Sequence, residues 1–519
     1  MSDDLFLAID EGTSSARAIA YDAEWHPVAT AARRLTTDHP QPGWAEQDAE
    51  AIVVAVVEAV GEVLGAVGGT ERIAAAGLAN QGETVVAWDR HSGAALAPAV
   101  LWSCRRSQAI VDRIDAAGDG PWIRERTGLP LDPYFSASKL RWLLEEVPAV
   151  TSAAEDGRIA FGTVDAWLTA RLGGGSAAAG SGSTVETART DPSTASRTQL
   201  FGLAALDWDD DLVRTWGVPR ATLPALVPTT GDLGSLSHSS WGGSIPLRAM
   251  VCDQQAALAG QGGHRAGTVK ATFGTGVFVL ANAGDAVPEP PDGIIATVAW
   301  GSPSGAGTYA LDGGVFSAGA FLEWLHDDIG LLDAPAGLDV LASQVPDAGG
   351  VRMLPALGGL GAPWWDPAAR GTISGLSAAT RRPHLARAAL DSIAQRTVDI
   401  VESMTPALSC QVGTLRVDGG LTGSELLVQR LADLAGRPVD VASDAESTAL
   451  GTALLAAMGA GWIDEADAAA VVGTKRRVEP RLDEPARQAE RAAWRHFVRG
   501  ASALVELRLI SSDQSSNEE

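Results

Sequence analysis

The chain is short of lysine, of cysteine and of long apolar runs, and each shortage excludes something. Of its 39 basic residues only Lys139, Lys270 and Lys475 are lysine. No glycine is followed by lysine anywhere, so the phosphate-cradling loop GxxxxGK[ST] is absent. Any phosphate bound here must be held by backbone amides, hydroxyls, arginine or a metal ion. The three cysteines, Cys104, Cys252 and Cys410, are far apart and form no CxxC pair. That spacing argues against a zinc site or a disulfide framework and for a reducing cytoplasm. No stretch reaches the roughly 18 apolar residues of a membrane span; the segment Gly451–Trp462 comes nearest. The opening MSDDLFLAIDEG carries acid where a signal peptide carries base. A soluble protein is expected. GxSxG and HExxH are missing as well, and the eight histidines are scattered without metal-ligand spacing, so they read as surface or hydrogen-bonded structural residues.

A basic face is also lacking. The balance of 39 basic against 64 acidic residues gives a net charge of −25, which excludes nucleic acid and anionic membrane as general partners. What remains is an ordinary globular composition, 46 % apolar and 20 % charged over 519 residues, enough for several domains that each bury a core.

Strands and helices alternate along the chain, so the class is α/β. Leu5–Ile9 is an apolar run ending in Asp10, followed by Glu11-Gly12-Thr13-Ser14 and the apolar Ala18–Tyr21: strand, polar glycine turn, strand. A similar unit recurs at Thr268–Ala281, where Val269–Phe273 enters Gly274-Thr275-Gly276 and Val277–Leu280 leaves it. Two such hairpins half a chain apart suggest two related domains. Glu50–Val67, Val315–Leu325, Leu385–Met404 and Ser447–Gly461 read as helices, the last closely packed because it is rich in Ala and Gly. Ile73–Leu78 and Val85–Trp88 read as strands around Asn80-Gln81-Gly82-Glu83. Leu415–Val417 reads as a short strand entering Asp418-Gly419-Gly420. Residues 173–183 read as a flexible loop and 511–519 as a polar, disordered tail.

Three glycine turns therefore follow apolar strands. Such a turn can wrap phosphate with N–H groups, while a strand-end carboxylate such as Asp10 holds Mg²⁺ directly or through water. Asp253 follows the apolar Met250-Val251-Cys252 and opens a helix-like run. Spacing alone favours a helix N-cap there; the other reading is a general base that takes a proton from an attacking hydroxyl.

The chain resembles the FGGY carbohydrate kinases, and among them the glycerol-phosphorylating branch. IDEGTSSARA, HPQPGWAEQD, ANQGET, LWSCRR, TGLPLDPYFSASKLRWL, FGTVDAWL, ASRTQLF, DQQAALAGQ, TFGTGVF, GLGAPWWDPAARG and RVDGG occur collinearly. The resemblance implies two ribonuclease H-like domains of the actin, Hsp70 and hexokinase type, residues 1–252 and 253–510, closing a cleft on ATP and a small polyol. It makes Asp253 the catalytic base and Asp10 the organiser of Mg²⁺. Thr13, Ser14, Arg17, Gly274, Thr275, Gly276, Gly319, Gly419 and Gly420 fall near the nucleotide. Gly82, Glu83, Trp102, Tyr134, Asp253, Gln254 and Phe278 form the polyol pocket. It further implies a cytoplasmic homodimer or homotetramer.

One position departs: the glycerol-phosphorylating relatives carry arginine where this chain has Gly82. The expectation is a lost hydroxyl donor and an empty space, which water or a longer substrate such as erythritol or xylulose would fill. A nucleotide switch of the actin or Hsp70 kind, acting on protein partners, is the alternative from another class.

Overall fold

A computed structural model describes residues 4–173, 188–331, 337–443 and 446–515, with side chains through residue 503. Most of the 173–183 loop lies outside the described residues. Two mixed sheets carry the fold. The first uses β1 (Leu5–Glu11), β2 (Ser15–Tyr21), β3 (Pro27–Arg34), β4 (Ile73–Asn80), β5 (Ser235–Ser237) and β6 (Ser244–Cys252) in the order β5-β6-β4-β1-β2-β3. The second uses β7 (Val269–Phe273), β8 (Val277–Gly284), β9 (Ile295–Gly301), β10 (Gly307–Val315), β11 (Leu415–Asp418), β12 (Val439–Ala442) and β13 (Thr474–Val478) in the order β9-β10-β8-β7-β11-β12-β13. In both, an antiparallel hairpin begins the sheet and two later strands add in parallel beside its first strand. The shared order explains the two similar hairpins in the sequence: each starts one copy of the same topology.

Local chemistry sets the element ends. Helix α1 (Ala49–Val67) starts where the Asp48 side chain accepts from the amides of Glu50 at 2.9 Å and Ala51 at 3.4 Å. It stops at Gly68, whose φ of 95° suits glycine. Its buried stripe of Ile52, Val56, Val60 and Val63 packs on the first sheet.

Helices α2 (Asp253–Gly260) and α3 (Ser447–Gly459) pack between the sheets at unusually close range. A Cβ on Gly260 would lie 1.9 Å from the Ser447 carbonyl oxygen, and one on Gly451 1.9 Å from that of Ala256. A Cβ on Gly77 in β4 would lie 2.5 Å from the Thr452 oxygen. Only glycine allows these backbones to touch, so the Ala/Gly-rich run at 447–459 is the contact surface that joins the two halves.

Several expectations need correction. Val315 ends β10, and the helix expected over Val315–Leu325 begins only at Gly319 and runs to Asp327. Residues 316–318 are the link, because the glycine-rich strand must first turn away from the sheet. The strands expected at Ile73–Leu78 and Val85–Trp88 both form, as Ile73–Asn80 and Val85–Asp89, in different sheets, the second pairing with Ala99–Val100 and Ile159–Thr163. The final helix, Glu484–Ser515, takes in residues 511–515, where a polar tail is expected; 516–519 lie outside the described residues.

His264 departs from the hydrogen-bonded role expected of the histidines. Both ring nitrogens are buried without a hydrogen-bond partner among the described residues, and the ring packs on Trp300 with centroids 5.3 Å apart. Burial pushes its pKa from 6.5 down to about 4. Between those values the unfolded chain binds a proton that the folded chain does not, so stability falls as pH drops through 6.5 toward 4. The loss at this one residue should be about 3 kcal/mol. His264→Phe should flatten the stability–pH curve over that window, as read by urea denaturation.

Candidate active site

The parallel strands β1, β4 and β6 end at one edge of the first sheet, where a ligand crevice is expected in an open α/β sheet. From those ends come Thr13 and Ser14, then Gln81-Gly82-Glu83, then Asp253 and Gln254. From the second sheet, the turn Gly274-Thr275-Gly276 and Phe278 face them. Together with Trp102 and Tyr134 they line one cavity of about 370 Å³. Twelve residues singled out from the sequence are thus brought into a single space, from segments spread over 265 positions (Thr13 to Phe278).

Two aromatics form one wall. Trp102 and Tyr134 meet edge to face, centroids 5.6 Å apart at 71°. The Trp102 indole N–H donates to the Thr13 hydroxyl at 2.8 Å, and that hydroxyl donates to Gln81 Oε1 at 3.2 Å. Gln81 in turn donates to Glu11 at 2.9 Å and accepts from Thr84 at 2.9 Å. The Thr13 hydroxyl is therefore committed to the wall, which leaves the backbone of that turn to meet a ligand.

Asp253 is the first residue of α2 rather than its cap; Cys252 holds the cap position. Its carboxylate accepts from the Gln254 amide at 2.6 Å. Burial raises its pKa, while that amide and the Lys270 ammonium oppose the rise. Lys270 is fully buried, donating to Gln254 Oε1 at 2.7 Å and to the Thr272 hydroxyl at 3.1 Å. Lys139, also fully buried, donates to the backbone carbonyls of Tyr134 at 2.5 Å and Phe135 at 3.2 Å. Burial brings its pKa down to about 7, against the pull of Glu83. Two of the three lysines in an arginine-dominated chain thus stand directly behind pocket residues.

Gly82 lines the cavity, but the empty space expected beside it is filled in the direction a side chain would start. A Cβ on Gly82 would lie 2.7 Å from Cys252 Sγ and 3.4 Å from Arg197 Cγ. The thiol and the arginine stem fill that direction, because Arg197 is tethered from both sides. Its Nε donates to Glu83 Oε1 at 2.6 Å and its Nη1 to Asp312 Oδ2 at 2.7 Å, and all three side chains are buried. Sequence reasoning missed Arg197 as a pocket residue although its segment, ASRTQLF, carries the family resemblance. Its only local signal is an arginine inside an otherwise uncharged run.

Asp10, Arg17, Gly319, Gly419 and Gly420 do not line the cavity. Arg17 lies across from Asp10 in the β1–β2 register, but its guanidinium pairs with Glu446. Gly319 lets its helix start against the Gly274-Thr275 turn; its own amide donates to the Gly274 oxygen at 3.1 Å. Gly419, at φ 91°, abuts Phe273, whose oxygen would lie 2.3 Å from a Cβ there. Packing therefore accounts for both glycines. Gly420 has nothing within 4 Å of a Cβ and stays open to an approaching group.

Residues 5–260 match the sequence profile of the FGGY family of carbohydrate kinases, N-terminal domain, and residues 269–460 match that of its C-terminal domain. The chain belongs to the FGGY family of carbohydrate kinases. This FGGY kinase is 43 % identical over 494 residues to a glycerol kinase of Citrifermentans bemidjiense, covering 95 % of this chain and 98 % of that one. It is 42 % identical over 501 residues to a glycerol kinase of Thermus brockianus, covering 96 % and 99 %. Among solved structures, glycerol kinase of Plasmodium falciparum with ADP superposes with a TM-score of 0.88 at 28 % identity, covering 96 % and 98 %. Xylulose kinase of Rhodospirillum rubrum superposes at 0.80 with 26 % identity, covering 97 % and 98 %. No helix among the described residues is long and apolar enough to cross a membrane.

The kinase's acidic end of β1 suits a magnesium–phosphate complex. Burial and the nearby Asp253 raise Asp10 to about 7, and Glu11 beside it is raised to about 8 with one buried oxygen unpartnered among the described residues. An anionic site of this kind is relieved by a cation. No group of three or more metal-ligating side chains surrounds it among the described residues. Asp10 and Glu11 would supply the one or two carboxylates that Mg²⁺ binds beside its waters and substrate phosphates.

Proposed function

We propose that this kinase transfers the γ-phosphoryl group of ATP to a terminal hydroxyl of glycerol. The observation that carries the reading is the position of Asp253. Its carboxylate shares one cavity with Glu83, Trp102 and Tyr134, which suit hydroxyls and a short carbon chain, and with the turns at Thr13-Ser14 and Gly274–Gly276, which suit phosphates. The relatives named glycerol kinase, above 40 % identical over nearly the whole chain, support the choice of polyol.

In this mechanism the polyol oxygen attacks the γ-phosphorus while the bond from that phosphorus to the ADP oxygen breaks. The hydroxyl proton passes to Asp253. Its pKa, raised by burial, makes Asp253 a better base than an exposed aspartate. Backbone amides of the two glycine turns neutralise charge on the transferring group, a role taken elsewhere by a P-loop lysine. Mg²⁺, held through Asp10, would supply the remaining positive charge on the phosphates. Closure of the two halves over the bound substrates would keep water from competing for the phosphoryl group.

ADP release measured with glycerol, erythritol, threitol and xylulose tests the assignment. Glycerol should give the highest kcat/KM. Stimulation by none of them, with a protein partner found instead, would replace the reading with a nucleotide switch.

Lys270 gives a second test. Its ammonium lowers the Asp253 pKa, so Lys270→Met should move the acid limb of the kcat/KM–pH profile to higher pH. An acid limb that stays in place would mean Lys270 only fills space.

A further inference from the structure

We propose that Arg197 is a polyol-gripping residue of this pocket, and that with Glu83 it forms a donor–acceptor pair selecting a vicinal diol. The assignment rests on the reading of the cavity as the polyol site. Gly82 offers no side chain, and Cys252 Sγ blocks the direction in which one would start. The guanidinium in the cavity wall is that of Arg197.

Its bonding leaves a specific edge available. Nε is held by Glu83 and Nη1 by Asp312, while Nη2 has no hydrogen-bond partner among the described residues. Glu83 uses Oε1 for Arg197, and its Oε2 likewise has no partner among the described residues. A free N–H edge and a free carboxylate oxygen therefore sit side by side, fixed by a 2.6 Å ion pair. One hydroxyl of a vicinal diol can accept from the first while its neighbour donates to the second.

Two further contacts hold this pair in register. The Arg197 guanidinium carbon lies 5.8 Å from the Tyr134 ring centroid, above the aromatic wall that receives the carbon chain. Asp312 lies on β10 of the second sheet, whereas Glu83 and Arg197 belong to the first half. The arginine thus fixes the diol-binding edge to both halves, and a bound polyol contacts a unit already set across the seam.

Steady-state kinetics of Arg197→Lys and Arg197→Gln with glycerol and with 1,3-propanediol test the proposal. Loss of a charge-assisted hydrogen bond should raise the glycerol KM by roughly 10- to 150-fold and leave the ATP KM nearly unchanged. The wild-type preference for glycerol over 1,3-propanediol, which lacks the vicinal pair, should shrink by a similar factor. Arg197→Lys keeps a charge near Glu83 and Asp312 and serves where Arg197→Gln fails to fold. Gly82→Arg should weaken glycerol binding, because its side chain starts against Cys252 and Arg197. If folded Arg197→Lys keeps the wild-type glycerol KM and the wild-type diol preference, the assignment is overturned. A wild-type chain that phosphorylates another polyol but not glycerol overturns the glycerol reading instead, and the Arg197 variants are then read on that polyol.

Discussion

Asp253→Asn is expected to lower kcat by roughly 10²- to 10⁴-fold, the usual contribution of a positioned general base. The substitution is isosteric. The Asn carbonyl can still accept the Gln254 amide that Asp253 accepts at 2.6 Å, so the start of α2 keeps its geometry. It also removes a buried negative charge that burial disfavours, so folding stability should hold or rise. ATP binding should persist, because the turns proposed to meet phosphate, Thr13-Ser14 and Gly274–Gly276, are separate segments of the cavity wall that the substitution leaves unchanged. Calorimetric ATP binding beside single-turnover chemistry separates the two effects. A variant with near-normal turnover would remove Asp253 from the chemistry and leave it a helix-start residue.

The second large effect belongs to the join between the halves. Gly260→Ala places a methyl carbon 1.9 Å from the Ser447 oxygen, and Gly451→Ala places one 1.9 Å from the Ala256 oxygen. Real Cβ atoms do not approach backbone oxygens so closely, so α2 and α3 must separate. Each change should cost at least about 3 kcal/mol, the upper range for overpacking a core. Turnover should fall too, since α2 carries Asp253 at its other end. Gly65→Ala is the control: nothing lies within 4 Å of a Cβ there, inside helix α1. It should stabilise by up to about 1 kcal/mol through helix propensity. Urea denaturation midpoints of the three variants check the contrast. Equal effects at Gly260 and Gly65 would show that the helix pair does not depend on its glycines.

How legible these features are in the sequence follows from their range. The two hairpins, α1 and the buried 447–459 helix each announce themselves through local apolar periodicity or small-residue content. Thr13, Glu83, Trp102, Tyr134 and Asp253 are found through the family segments they sit in, and those segments converge on one cavity. Arg197 is different. Its importance lies in contacts to Glu83 and Asp312, separated from it by 114 and 115 positions, which no local pattern encodes. The same holds at Gly82, where a missing side chain reads as space until the fold brings Cys252 and Arg197 against it. Gly319 and Gly419 show the converse. Their glycines read as ligand approaches, yet backbone packing at the turn ends already requires them.

Lysine scarcity also takes on a different meaning. It excludes a P-loop, and two of the lysines that remain support Tyr134 and Gln254 from beneath the pocket. A compact ammonium reaches these enclosed acceptors where a broad guanidinium would need more room.

Phosphorus NMR of a reaction containing the protein, ATP, Mg²⁺ and glycerol tests the central claim most directly. The account predicts the resonance of glycerol 3-phosphate growing in step with ADP, without matching inorganic phosphate. ADP accompanied by inorganic phosphate alone, at a rate indifferent to glycerol, would contradict it.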